Sequence, residues 1–219
     1  MNEEDKFMMP LEVPFSCPQS MKEYVDKVLY QNEYEIPYEI SKPVVLDLGA
    51  NVGSFAVWAL LKWPEAIVHC YEPIRTNFEL LEANTKLFHP RIHLHNCAIG
   101  DPSRNRMFHG KWNCGQSSFF QLGEQTMDSE IVQSRPPSIL PEADILKLDT
   151  EGCELEILKQ LQDRKYSAIM LEYHSESDRR AIDQLLSKYV LVGSEAKRVD
   201  RGVVKYVHPS LLNQKATST

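Results

Sequence analysis

Along the chain the hydrophobic positions alternate between short unbroken apolar runs and helical spacing. "VVLDL", Val44 to Leu48, reads as a buried strand, and after a glycine turn a helix continues through Leu61. "AIVHCYE", Ala66 to Glu72, predicts a second strand, and Thr76 with Glu79 opens a helix that runs to about Phe88. "RIHLHNCAI", Arg91 to Ile99, predicts a third strand. "DILKLD", Asp144 to Asp149, predicts a fourth, followed by a helix near Glu154 to Leu161. "SAIMLEYH", Ser167 to His174, predicts a fifth, followed by a helix around Asp178 to Lys188. "YVLVGS" and "GVVKYVH" then predict a C-terminal antiparallel strand pair. The pattern predicts an α/β fold, a mostly parallel sheet with helices on both faces. Ligands in such sheets bind at the carboxyl ends of the strands.

Two segments fall outside that alternation. Residues 1–43 read as an N-terminal helical extension. Ser20 and Glu23 fit a capping box, and Met21, Val25, Val28 and Leu29 recur at helical spacing. The helix is either a lid over a site or packed against the core, the second being the base-rate expectation. Residues 44–219 form the main domain. Inside it, Gly100 to Pro141 is a long polar connection with an expected hairpin through Met107–Phe108 and Ser118–Phe119–Phe120. Trp112 and Phe119 there would either wall a substrate site or fold the loop onto the core.

Composition narrows the possibilities. With 219 residues, 42% of them hydrophobic, the chain can bury a sizeable core. The longest apolar run, "FAVWALL", is too short to cross a bilayer, and the acidic N-terminus is unlike a secretory signal. A soluble, cytoplasmic protein with no membrane association is therefore expected. The net charge of −7 argues against nucleic acid as a partner. Five cysteines without a C-x-x-C pair argue against a disulfide framework or a tetrahedral zinc site.

The glycine turn runs Gly49-Ala50-Asn51-Val52-Gly53. A dinucleotide fingerprint would need glycine where Asn51 stands, to let the backbone approach a pyrophosphate. A ligand without a pyrophosphate does not need it. Glu72, at the end of the second strand, is placed to accept hydrogen bonds from the two hydroxyls of an adenosine ribose, a task for an ionised carboxylate. Turn and acid together favour a nucleoside cofactor lacking a diphosphate.

"LDLGANVGSF", "YEPIRTNFELLEAN", "LKLDTEGCELEIL" and "LEYH" together resemble the FkbM family of S-adenosylmethionine-dependent methyltransferases. The resemblance covers roughly residues 43–174, and "KLDTEGCE" is its most specific part, matching a K-x-D-x-E-G-x-E pattern. It implies a Rossmann-like class I methyltransferase fold, with residues 44–219 as the methyltransferase domain. It also implies S-adenosylmethionine as donor and, most often, transfer to a hydroxyl oxygen. By the same resemblance Asp47, Gly49, Asn51 and Gly53 line the methionine and ribose side, and Glu72 holds the ribose. The stretch Asn96 to Ala98, with Cys97 and Ala98, borders the adenine, and Asn77 matches an asparagine after the E-P pair. One departure is visible: "SRPPSIL" stands where such proteins often carry an "LD"-type segment before the fourth strand.

The candidate catalytic residues are Asp149, Glu151, His174 and Lys147. By the two-residue period Ile145, Lys147 and Asp149 share one face of the fourth strand, and Met170, Glu172 and His174 one face of the fifth. Asp149, Glu151 and His174 are expected to converge beside the methyl group. His174 would then remove the acceptor's proton, with Asp149 or Glu151 orienting the ring. Two carboxylates and a histidine equally suit a divalent metal, and spacing does not separate base from ligand. Lys147, inside an apolar strand, needs an acidic partner, and orienting substrate is its second reading. The leading function is methyl transfer to a hydroxyl of a small molecule or sugar. The alternatives are a nicotinamide-dependent oxidoreductase, which the altered glycine turn disfavours, and a non-catalytic nucleoside-binding module.

Overall fold

The computed structural model describes residues 13–110, 113–118 and 128–213, without the side chains of 108–110, 113–117 and 128. After helix α1 (Lys22–Tyr30) come β1 (Val44–Leu48), α2 (Ser54–Lys62), β2 (Ile67–Tyr71), α3 (Arg75–Thr85) and β3 (Ile92–His95). The long connection holds β4 (Ala98–Ile99), β5 (Arg106–Gly110), β6 (Asn113–Ser118), β7 (Asp128–Ile131) and β8 (Ser134–Arg135). The chain then runs through β9 (Ile145–Leu148), α4 (Glu154–Gln160), β10 (Ala168–Tyr173), α5 (Glu176–Leu185), β11 (Val190–Ala196) and β12 (Gly202–Val207).

Seven strands form the main sheet in the order β11-β12-β10-β9-β1-β2-β3. The pairs from β10 to β3 are all parallel, and β12 runs antiparallel to both β10 and β11. The chain order reverses between β1 and β9, so the crevice at a switch point opens beyond the carboxyl ends of those two strands. Strand alternation divides the core between the two faces. Val45, Val68, Ile145 and Met170 pack with α1 and α2 residues such as Val25, Val28, Phe55 and Trp58. Leu46, Leu48, Leu146, Leu148 and Leu171 pack with Ile157 of α4 and Ile182 of α5. Because β1, β9 and β10 are covered on both sides, they read as mostly apolar runs, interrupted only by Asp47, Lys147 and Glu172.

Three local expectations change. The predicted third strand breaks in two: β3 stays in the main sheet, whereas β4 leaves it and pairs in parallel with β8. The cause is Asn96, whose side-chain amide donates to the carbonyls of Glu72 (2.8 Å) and Pro73 (3.1 Å) and turns the chain away. Ser20 lies inside a short 3-10 turn, Gln19–Met21, rather than at the N-cap of α1. Likewise α3 begins at Arg75, capped by Ile74, so Thr76 is already inside the helix. The expected hairpin is present: β5 and β6 are antiparallel with Phe108 opposite Ser118, and β7 completes a three-stranded sheet. Trp112, Phe119 and Phe120 lie outside the described residues.

Candidate functional site

Two adjoining clefts lie over the carboxyl ends of β1, β2, β9 and β10. The first, about 550 Å³ including space open to solvent, is lined by Gly49, Asn51, Tyr71, Glu72, Pro73, Asn77, Ala98, Ile99, Met107 and Asp149 to Glu151, among others. The second, about 610 Å³, lies between α1 and the turn joining β11 to β12. Its walls include Met21, Tyr24, Val28, Glu33, Glu172, Lys197 and Arg201. Gly49, Asn51, Asp149 and Glu151 border both.

The glycine turn is built by close backbone approach. Gly49 has φ of +80°, and a Cβ there would collide with the carbonyl oxygen of Asp149. Gly53 (φ +91°) starts α2, and a Cβ would lie 2.8 Å from Leu81 Cδ1 of α3. Gly53 therefore sets helix packing and is not in the cleft wall. Beneath the turn Lys147 Nζ donates to the Gly49 carbonyl (2.7 Å) and pairs with Asp47 Oδ1 (3.0 Å). Both side chains are buried, and Asp47 does not reach the cleft surface. Burial weakens the Lys147 cation, but Asp47 and Asp149 outweigh it and raise its pKa, so it keeps its proton. Its acidic partner, expected from the sequence, is Asp47. The pair holds the turn from below.

Glu72 is buried at the floor of the first cleft. Its Oε2 accepts the N–H of Asn51 and its Oε1 that of Ile74, both at 2.8 Å. Burial pushes its carboxyl up to about 7, against the lowering pull of those bonds and of Asn77. Asn51 Oδ1, in the same wall, is buried without a hydrogen-bond partner. These groups fit a nucleoside: a carboxylate for vicinal hydroxyls, an unused amide oxygen, and a glycine turn with no side chain in the way. Ala98 lines the cleft, whereas Cys97 is buried in the core beside Tyr71. Of the eight residues expected at the cofactor, Gly49, Asn51, Glu72, Asn77 and Ala98 line the cleft; Asp47, Gly53 and Cys97 stand behind it.

The acid–histidine group converges. His174 Nε2 lies 3.1 Å from Glu151 Oε2 and 4.0 Å from both Asp149 Oδ1 and Glu172 Oε1; Nδ1 lies 3.2 Å from Glu154 Oε1. Burial alone would lower the imidazole pKa, but Glu151 and Glu154 reverse this and raise it to about 11. His174 is consequently an imidazolium at neutral pH, with no lone pair for an acceptor's proton. This weighs against the histidine-base expectation: carboxylates face both ring nitrogens, a closure the sequence does not show.

Glu154 does more than favour the start of α4. Its carboxylate accepts the backbone N–H of Thr150 (2.8 Å) and of Gly152 (3.0 Å), stapling the loop that carries Asp149 and Glu151. That loop includes Glu151 at φ +52°, a left-handed conformation that costs energy in a non-glycine residue. Asp149, Glu154 and His174 each offer a ligand atom within 4.8 Å of the others. A divalent ion there would have to displace the imidazolium proton and compete with the N–H groups on Glu154. Glu151 is itself occupied, its Oε2 accepting from Arg201 at 2.9 Å. Asp149 is the most open of these carboxylates, its side chain 28% exposed at the junction of the clefts.

Sequence reasoning did not single out Lys197 and Arg201. Both come from the turn between β11 and β12 and reach back over β10. Lys197 Nζ lies 2.8 Å from Glu33 and from Glu172. Burial and repulsion from Asp149 push Glu172 up to about 7, with Lys197 opposing. The only sequence signal was that basic residues crowd a turn next to a site-forming strand.

The fold is that of a class I methyltransferase, with a cleft at the β1–β9 switch. The chain belongs to the methyltransferase FkbM domain family, whose model matches residues 47–192. It is 22% identical over 175 residues to methyltransferase 1 of Beauveria bassiana strain ARSEF 2860, covering 67% of this chain and 70% of that protein. Over 58 residues it is 38% identical to the 31-O-demethyl-FK506 methyltransferase FkbM of Streptomyces tacrolimicus, covering 26% of this chain and 22% of that one. Among solved structures it resembles Aeropyrum pernix fibrillarin with natively bound S-adenosyl-L-methionine. The TM-score is 0.52 and the identity 12%, with 85% of this chain and 74% of fibrillarin covered, a likeness of fold alone. Family membership implies S-adenosylmethionine as the methyl donor. Among the described residues no helix is long and apolar enough to cross a membrane.

Proposed function

We propose that the protein transfers a methyl group from S-adenosylmethionine to a hydroxyl oxygen of a small molecule or sugar. The observation that carries this reading is Asp149, an open carboxylate where the nucleoside-shaped cleft meets the second cleft. The Streptomyces relative, named for a 31-O-demethyl substrate, supports an oxygen acceptor. When bound, the donor supplies an electrophilic methyl group on a sulfonium. Glu72 would hold the ribose hydroxyls, Asn51 and Asn77 would flank them, and Ala98 would border the base. The acceptor would enter from the second cleft, against Met21, Tyr24 and Val28 of the N-terminal extension. Asp149 would take the hydroxyl proton as the acceptor oxygen bonds to the methyl carbon and the carbon–sulfur bond breaks, leaving S-adenosylhomocysteine. His174 keeps Glu151 and the 149–154 loop in place and lends positive charge to Asp149. Lys147 positions Gly49.

The test is incubation with methyl-labelled donor and a panel of hydroxyl, amine and thiol acceptors of similar size, with products identified by mass spectrometry. Label appearing as a methyl ether supports the reading, and label confined to nitrogen or sulfur products overturns it.

Glu72 makes the cofactor assignment testable without an acceptor. A carboxylate–hydroxyl bond contributes about 1.5–3 kcal/mol, so Glu72→Ala should weaken S-adenosylhomocysteine binding by roughly tenfold or more. Because the hydroxyl donors need the ionised carboxylate, and its pKa is about 7, affinity should tighten as pH rises from 6 to 8. The ionised fraction grows from about a tenth to about nine-tenths, so the gain approaches roughly ninefold. Calorimetry reads both effects. An affinity independent of pH and of Glu72 would remove this residue from the cofactor site.

A further inference from the structure

The small sheet of β5, β6 and β7 leaves the main sheet and bridges the first cleft. One wall of that cleft carries Glu72, Pro73 and Asn77, the other Asp149, Thr150, Glu151 and Cys153. The small sheet is fastened to both. Met107 of β5 lines the cleft and packs with Ile74, Ala98 and Val132. Glu130 of β7 accepts the backbone N–H of Arg75 at 3.1 Å. On the opposite wall Ser118 of β6, fully buried, donates its hydroxyl to the Glu151 carbonyl at 2.7 Å. That bond closes a bridge from one wall to the other.

We propose that Ser118 is a positioning residue: its bond to Glu151 latches the small sheet across the cofactor cleft and fixes the loop carrying Asp149. Contacts converge on the Glu151 peptide from several elements. Glu154 accepts the N–H groups of Thr150 and Gly152 on either side of it. His174 and Arg201 hold the Glu151 carboxylate, and Ser118 takes the carbonyl. A non-glycine residue at φ +52° persists only where its surroundings over-determine it. Ser118 adds the hold of the inserted sheet to that set. Arg104 also ties this connection to α4, 2.8 Å from Glu156, but the pair is partly exposed and screened by solvent. The Met107 side is apolar packing shared among four residues. A neutral hydroxyl–carbonyl bond, by contrast, is weak enough to open and re-form. The cleft therefore opens on the Ser118 side, where the cofactor enters and leaves.

The latch rests on the cofactor reading of the first cleft, and the test separates the two. The full chain and its Ser118→Ala variant are compared by amide hydrogen exchange and by stopped-flow binding of S-adenosylhomocysteine. Loss of one neutral hydrogen bond should speed exchange across residues 149–153 by roughly twofold to tenfold. Exchange in β10 and β12 should not change, whereas a general loss of stability would speed all of these together. S-adenosylhomocysteine should both leave and enter faster by a similar factor, so its Kd shifts less than either rate. A residue that only packs the site would raise the release rate alone. Ser118→Thr, which keeps the hydroxyl, should bring exchange and both rates back towards wild type. Unchanged exchange at 149–153, an equal rise in β10 and β12, or faster release without faster entry would overturn the proposal. Failure of the wild type to bind S-adenosylhomocysteine would strike the cofactor reading instead, and exchange would then decide the role of Ser118.

Discussion

His174→Ala should destabilise the protein by about 3–5 kcal/mol at pH 7, because it removes one member of a buried ion cluster. The imidazolium sits 3.1 Å from Glu151 and 3.2 Å from Glu154, with Asp149 and Glu172 at 4.0 Å. Without it those carboxylates face one another, with Lys197 and Arg201 left to offset them. The pH dependence has a definite sign. The folded pKa, about 11, lies above the ordinary 6.5, so the stabilisation is complete below about pH 6.5 and fades as pH climbs towards 11. Urea unfolding at pH 7 and pH 9.5 should therefore show a gap between wild type and variant that narrows at the higher pH. A gap that is absent, or constant with pH, would mean a neutral ring and would reopen the histidine-base reading.

Asp149→Asn should lower kcat by about a hundred-fold to ten-thousand-fold, the range for loss of a general base. The amide keeps the shape and cannot take the hydroxyl proton. Cofactor affinity should stay within about threefold, since the proton is on the acceptor and the ribose contacts belong to Glu72. With cofactor saturating, kcat should not rise through pH 6–7, because the His174 proton is held up to about 11. Glu172, near 7, is the other group able to shape the profile, so the measurement is repeated in Glu172→Gln. A rise through pH 6–7 surviving that substitution would return the role of base to His174. Activity lost to a chelator and restored by Mg²⁺ or Mn²⁺ would instead make Asp149 a metal ligand.

The segments at 44–48, 144–149 and 167–174 were readable as strands because burial on both faces makes most of their positions apolar, with Asp47, Lys147 and Glu172 the buried exceptions. Glu72 was readable as a cleft-lining acid because it directly follows a strand, and in this architecture strand ends are where ligands sit. Asn51 in the glycine turn favours a nucleoside over a dinucleotide, since a pyrophosphate demands glycine there. Composition and periodicity act over a few residues, and these conclusions needed no more.

Contacts across many residues could not be read that way. Asn96 breaks the third strand by bonding the carbonyls of Glu72 and Pro73, more than twenty positions back. Cys97 goes to the core and Ala98 to the cleft for the same reason. The charge of His174 depends on Glu151 and Glu154, brought from the preceding strand's loop onto both ring nitrogens. Lys197 and Arg201 join the site only because β12 folds back antiparallel beside β10. Sequence by itself showed most of the strands and helices and which strand ends carry acids. Tertiary structure alone decided which carboxylate is open, which is occupied and which ring is charged, because protonation and solvation follow from distances of 3–4 Å between groups far apart in the chain.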